Sequence, residues 1–229
     1  MRSGLVAIVL CTFNGSKYIE ALMNSIIVQT YGNWELWISD DGSEDNTISI
    51  VRKYAETYSE KIHILPEHAP LGACTNFLKT LKGAQLNEAE YYMFADQDDV
   101  WFPDKIEKLV AAMRMEEQSE REETPLLIHS DCRVTDQNLQ TIASSFTAYM
   151  GYNQKLKSFS HLLVQNNVVG ASVLFNRALR NRIHSVPKSA VMHDHWIALV
   201  AAAFGRIGYL PEATYDYRQH AENVIGARE

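Results

Sequence analysis

Apolar residues fall into short, nearly unbroken runs separated by stretches of helical spacing, and that alternation predicts the architecture. Residues 5–11 form a near-continuous apolar run, as a central strand buried on both faces should, and the run stops at the turn signal Phe13-Asn14-Gly15-Ser16. Ile19, Leu22, Met23, Ile26 and Ile27 then fall on one helical face, with Ser16 placed to cap the helix. A strand follows at 35–39. Ile48, Val51, Ala55 and Tyr58 return to helical spacing, 62–65 is a short strand, 72–81 a helix carrying Phe77, Leu78 and Leu81, and 91–95 a fully apolar strand. Strands alternating with helices at this spacing predict a parallel sheet with right-handed crossovers.

Beyond residue 101 the rhythm loosens. Ile106, Leu109, Val110 and Met113 mark a helix that runs into the acidic stretch 116–123, read as a solvated helix end and loop. Residues 126–129 and 168–175 read as strands, and Trp196, Ile197, Val200, Ala203 and Phe204 as the buried face of a helix starting near Asp194. Two short strands are expected near Tyr209 and Tyr215. With 229 residues, no repeat and no Pro/Gly-rich linker, the pattern predicts a single domain over 1–229.

Charge and cysteines narrow the function classes. A net charge of -7 without a basic patch argues against nucleic acid as a partner. Cys11, Cys74 and Cys132 are far apart, odd in number and outside any C-x-x-C spacing, which fits packed thiols in a reducing compartment rather than disulfides or zinc. The apolar start is too short to span a bilayer and lacks a small-residue cleavage site, so a cytoplasmic location is expected.

The candidate chemistry lies at strand ends. Asp96, Asp98 and Asp99 directly follow the apolar run 91–95, and Asp40-Asp41-Gly42-Ser43 follows 35–39. Ionised carboxylates held there must be paired or bind a metal, and Mg2+ and Mn2+ take oxygen ligands completed by substrate phosphates. Ligands of open parallel sheets bind beyond the carboxyl ends of the strands. Thr12 to Asn14, Asp40-Asp41 and Asp96 to Asp99 are therefore expected on one rim.

These motifs resemble family 2 glycosyltransferases, the inverting group with the GT-A fold. The resemblance rests on residues 9–15, Gln29-Thr30-Tyr31, residues 34–47, Gly72 with Asn76, and Asp96-Gln97-Asp98-Asp99, in family order. Asp96 to Trp101, Asn167 to Ser172, His193-Asp194-His195-Trp196, Tyr217-Arg218-Gln219-His220 and Asn223-Val224-Ile225-Gly226 are similar to bacterial rhamnosyltransferase-type members. The implied fold is α/β of GT-A type, a Rossmann-like nucleotide-sugar-binding half with a mostly parallel sheet (1–101) and an acceptor-binding half (102–229) in one continuous domain. Thr75 departs from the family, where many members carry a basic residue before the matching Asn.

What the resemblance implies for function is an inverting transfer of a sugar, with L-rhamnose a candidate, from a dTDP-, UDP- or GDP-sugar to a polysaccharide or lipid-linked oligosaccharide, helped by Mg2+ or Mn2+. Thr12, Phe13, Asn14 and Asp40 would hold base and ribose, although Asp40 and Asp41 also suit an Asx-type turn. Asp41, Gly72, Asn76 and Gln97 join the donor site, and Asp96 lies near ribose or donor sugar. Asp98 binds the metal, Asp99 braces the loop, His220 joins the metal or diphosphate, and Arg218 is a forked phosphate partner or a surface ion pair. Asp194 is the base, with a helix N-cap as its structural role.

The neighbouring residues are read more openly. Treated as a strand-like segment, 193–195 would put His193 and His195 on the side away from Asp194. Trp101 and Trp196 offer sugar platforms or core packing, and Asn167, Gly170 and Ala171 shape the acceptor side, Gly170 by letting backbone approach substrate. Two other readings stay open: a nucleotidyltransferase of similar fold, disfavoured because 10–16 contains no Arg and a single Gly, and a glycan-binding relative without turnover. A lipid-linked acceptor would bring peripheral contact with the inner face of the cell membrane, although no strongly basic amphipathic helix marks one.

Overall fold

The computed structural model describes residues 4–183, 187, 190–221 and 223. In chain order these form β1 (Val6–Thr12), α1 (Ile19–Ile27), β2 (Trp34–Asp40), α2 (Thr47–Thr57), β3 (Ile62–Ile64), α3 (Ala73–Leu81), β4 (Tyr91–Ala95), β5 (Val100–Trp101) and α4 (Lys105–Glu117). There follow β6 (Leu126–Thr135), β7 (Thr141–Ala143), α5 (Phe146–Met150), α6 (Phe159–Leu162), β8 (Val173–Asn176), α7 (Arg177–Arg182), α8 (His193–Phe204) and β9 (Arg206–Arg218). One sheet joins the strands in the order β3-β2-β1-β4-β8-β6-β9-β5, with β7 on β6. The expected parallel core is present: β1 pairs parallel with both β2 and β4, and β2 with β3. β8 then joins antiparallel to β4 and to β6, welding the two halves into one sheet.

Period-two alternation distributes the core over both faces. Val6, Ile8 and Leu10 point toward α1, α2 and α4, while Ala7 and Val9 point toward α3, α7 and α8. Because β1 is buried on both sides, its polar end at Thr12 is where the fold can first present chemistry. No helix among the described residues is long and apolar enough to cross a membrane.

Several local expectations are corrected. Ser16 does not cap the first helix; α1 begins at Ile19, the Gly15 carbonyl accepts from the Tyr18 and Ile19 amides, and the Ser16 amide instead donates to Asp45. Residues 168–175 are not one strand, since a 3-10 turn at Gly170–Ser172 interrupts before β8. The two short strands near Tyr209 and Tyr215 are one, β9, whose pairing with β6 jumps from Leu210 to Ala213. Pro211 lies in that jump, as a residue without a ladder donor should.

Candidate active site

A cleft of about 1540 Å3 opens at the carboxyl ends of β1 and β4. Among its lining residues are Thr12, Phe13, Asn14, Asp41, Gly72, Asn76, Asp96, Gln97 and Asp98, with His220 beside Asp98, and Gly170, His193, Asp194 and His195. Asp40, Trp101, Ala171, Trp196 and Arg218 lie off the lining.

The β1 and β2 ends are organised by their own hydrogen bonds. Asp40 accepts from the Thr12 and Ser43 hydroxyls at 2.6 Å and from the Gly42 and Ser43 amides, so its carboxylate is spent on the loop, as in the Asx-turn reading. Asp41 accepts from the Leu71 and Gly72 amides and so anchors the entry to α3, where Gly72 adopts φ +77, a conformation that glycine tolerates best. Asn76 is buried and exchanges hydrogen bonds with Ser39, donating to its carbonyl and accepting from its hydroxyl. The Gln97 amide pairs with both backbone groups of Phe13. Phe13 is left 54% exposed over the cleft, an aromatic face with no protein ring stacked on it among the described residues.

The cleft floor has the opposite character. Asp96 is pushed up to about 7 by burial and by the negative charges of Asp98 and Asp194, with Lys105 pulling the other way. Asp98 accepts from His220 Nε2 at 2.8 Å and from the Asn223 amide at 3.0 Å, which joins the loop after β4 to the loop after β9. Asp99 is fully buried beneath them; the Arg218 amide reaches one oxygen at 3.4 Å, and the other has no protein partner. Its expected bracing role is visible in this contact. Arg218 itself is buried, its guanidinium over the Tyr18 ring, so it does not present a fork to the cleft.

Sequence reasoning missed the cation of this floor. Lys105 is fully buried at the start of α4, donates to the Ala171 carbonyl at 2.7 Å and to Thr214, and lies 3.9 Å from the Tyr215 ring centre. Burial draws its ammonium down to about 7 against the pull of Asp99 and Asp96. The clue was a lysine one position before the apolar face of α4. Trp101 packs against this ammonium at 2% exposure and cannot serve as a sugar platform.

On the opposite wall, residues 193–195 are helical rather than strand-like, and all three line the cleft. The N-cap of α8 is Met192 rather than Asp194. Asp194 accepts from the Gly170 amide at 3.2 Å and from the His195 amide, and burial pushes its carboxyl up to about 6 against those bonds. His193 is sandwiched against Phe77 and Phe94, neutral because burial brings it down to about 3, and neither ring nitrogen has a protein partner. Gly170 is required by this ring: a Cβ there would meet His193 Nε2 at 2.8 Å, so the glycine serves packing. Asn167 is also structural, tying the carbonyls of Asn153 and Leu156. Ala171 is fully buried and Trp196 packs against the core. Asn223 of the Asn223-Val224-Ile225-Gly226 motif is placed, and positions 224–226 lie outside the described residues.

Comparison with known proteins points the same way. Residues 7–119 match the model of Glycosyl transferase family 2. The chain is 27% identical to the dTDP-rhamnosyl transferase RfbG of Shigella flexneri over 220 residues, covering 95% of this chain and 74% of that protein. Its fold superposes on TarS of S. aureus in complex with UDP at a TM-score of 0.65 and 20% identity, covering 93% of this chain and 60% of TarS 1-349. The mannosyltransferase PcManGT from Pyrobaculum calidifontis, in complex with GDP-Man and Mn2+, gives a TM-score of 0.68 over 97% of this chain and 58% of its own. The chain thus spans about three fifths of each of these solved neighbours.

Proposed function

We propose, from the match of residues 7–119 to Glycosyl transferase family 2 and the GT-A fold shared with solved neighbours, that the chain transfers a sugar with inversion from a nucleoside diphosphate sugar to a glycan hydroxyl, using Asp194 as base. The observation that carries this reading is the placement of Asp194. It sits on the cleft wall, close enough to Asp96 for the two charges to repel, with two backbone amides fixing its carboxylate. A base raised to about 6 is ionised at neutral pH yet accepts a proton more readily than an ordinary aspartate. Attack by the acceptor oxygen breaks the bond to the diphosphate from the opposite face, and the hydroxyl proton passes to Asp194.

Phe13 and the loop around Thr12 and Asn14 receive the nucleotide, and a dTDP-rhamnose donor, after the dTDP-rhamnosyl transferase RfbG, is the first to test. Asp98 and His220 would hold a divalent cation, Mg2+ or Mn2+. Two protein donors and a diphosphate make a suitable shell for such an ion, and the crowding of Asp96 by Asp98 and Asp194 is what a bound cation would relieve. A cation bound there would stabilise the charge on the departing diphosphate.

The test is to incubate the chain with dTDP-, UDP- and GDP-sugars, with Mn2+ or Mg2+, and to record thermal shift and nucleoside diphosphate release. Release that depends on Asp194 supports the reading. Pyrophosphate release from a nucleoside triphosphate, or binding with no turnover on any donor and glycan acceptor, overturns it.

A further inference from the structure

Residues 137–193 contain six of the chain's 21 Lys and Arg and none of its 28 Asp and Glu, although the whole carries a net charge of -7. Within this acid-free stretch lies an apolar lip. Leu156, Phe159, Leu163 and Val164 are 42, 43, 58 and 88% exposed on and around α6, and Val164 reaches the cleft lining. Single exposed hydrophobics are ordinary, but four within nine residues at the mouth of a cleft mark an interaction surface. The lip is held in shape from below: Leu162 is fully buried, His195 Nε2 contacts its carbonyl at 2.7 Å, and the Asn167 amide ties Leu156.

Charge selects what covers it. Lys155 is exposed and Lys157 half-buried beside Leu156, while Arg177 and Arg180 on α7 are tied to the carbonyls of residues 81–89. Lys157 faces Glu116 of α4, so the exposed cation is Lys155; an apolar ridge beside it, with no carboxylate in its own stretch, complements an anionic lipid surface, which repels the rest of this acidic chain.

We propose that the α6 lip seats the protein on an anionic lipid bilayer, with Phe159, Leu163 and Val164 entering the interface and Lys155 at the headgroups. The cleft mouth then faces the membrane, so a lipid-linked acceptor reaches Asp194 without leaving it. This last consequence rests on the function proposed above; the docking does not.

The experiment is flotation of the purified chain with vesicles of phosphatidylethanolamine and phosphatidylglycerol, against vesicles of phosphatidylcholine alone. Binding is expected to the anionic vesicles, to weaken with added salt, and to fall about tenfold in Phe159→Ser/Leu163→Ser, two surface changes that leave the melting temperature and nucleotide affinity unchanged. Lys155→Glu should reduce binding at low salt only. No flotation with anionic vesicles, equal flotation of the double variant, or a Phe159- and Leu163-dependent dimer in place of lipid binding would each overturn the docking. Since flotation needs no turnover, a chain that floats but transfers no sugar fails the functional reading alone.

Discussion

The carboxylates at the two sides of the cleft are treated in opposite ways. On the β2 side, Asp40, Asp41 and Asp45 take hydrogen bonds from their own turn, from residues about 30 positions away, or from both, and finish as structural pieces. On the floor and far wall, Asp96, Asp99 and Asp194 are all pushed upward by burial. A carboxylate saturated with donors favours ionisation and order, whereas one short of donors stays reactive and destabilises the fold. Under the proposed function, the difference separates the scaffold of the loops after β1 and β2 from the groups that would meet cation, diphosphate and acceptor.

The sharpest way to test this contrast is Asp194→Asn, which should lower transfer by about 10^2- to 10^4-fold while leaving donor binding intact. The same change should flatten the pH dependence of stability. With its folded carboxyl raised to about 6 from 3.8, Asp194 favours folding only below about pH 4, and that contribution is lost as the pH rises through 6. The variant should therefore lose the fall in stability between about pH 4 and pH 6, read by chemical denaturation, while its amide NH2 leaves one of the two backbone donors without an acceptor. In the parent, transfer should fall as the pH drops below about 6. A variant with unchanged transfer would remove Asp194 from the chemistry.

Next in size is the buried Lys105. Lys105→Met strands Asp99 without its cation and loosens the Ala171 turn, and should cost about 3 kcal/mol of stability. Adding Asp99→Asn should restore a part of it, since the buried carboxyl that the ammonium attracts is then replaced by a neutral amide. Additive losses would show that the two groups do not interact. A smaller effect is expected from Asp98→Ala: metal-dependent affinity for a nucleoside diphosphate should fall about 10- to 100-fold by calorimetry, with His220→Ala moving the same way. An unchanged response to Mn2+ would place the cation elsewhere.

This contrast between the two sides also explains how far the sequence could be read. The parallel strands and their polar ends were legible because 5–11 and 91–95 are unbroken apolar runs ending in turn chemistry, and their ends do meet at one cleft. What each carboxylate does there was not legible. Asp40 and Asp96 both follow a buried strand, yet one is saturated by the Thr12 and Ser43 hydroxyls and the other is surrounded by like charge, a difference set by neighbours remote in the chain. Position 105 reads as an ordinary helix start until the sheet brings Ala171 and Thr214 against it. The Gly170 backbone is shaped by His193, which no local pattern could show.

The smallest effect tests the scaffold side. Asp45 accepts from the Thr47 amide and hydroxyl and from the Ser16 amide, and Thr47 in turn accepts from the Gly15 amide, so one exposed carboxylate links the loop after β1 to the first turn of α2. Burial alone would raise its pKa, but the bonds from Thr47 and Ser16 together outweigh that and bring it down to about 2. A negative charge at a helix N-terminus adds to the same preference. Solvent screens so exposed a group, so Asp45→Ala should cost only about 1 kcal/mol and a few degrees of melting temperature. Because the folded carboxyl lies below its ordinary value of 3.8, the contribution is present above about pH 4 and is lost as the pH falls toward 2. Melting curves of parent and variant should therefore converge in acid and separate above it, the reverse of the trend for Asp194. If both substitutions shift the pH dependence of stability in the same direction across that range, the two sides of the cleft do not differ in the way their hydrogen bonds imply.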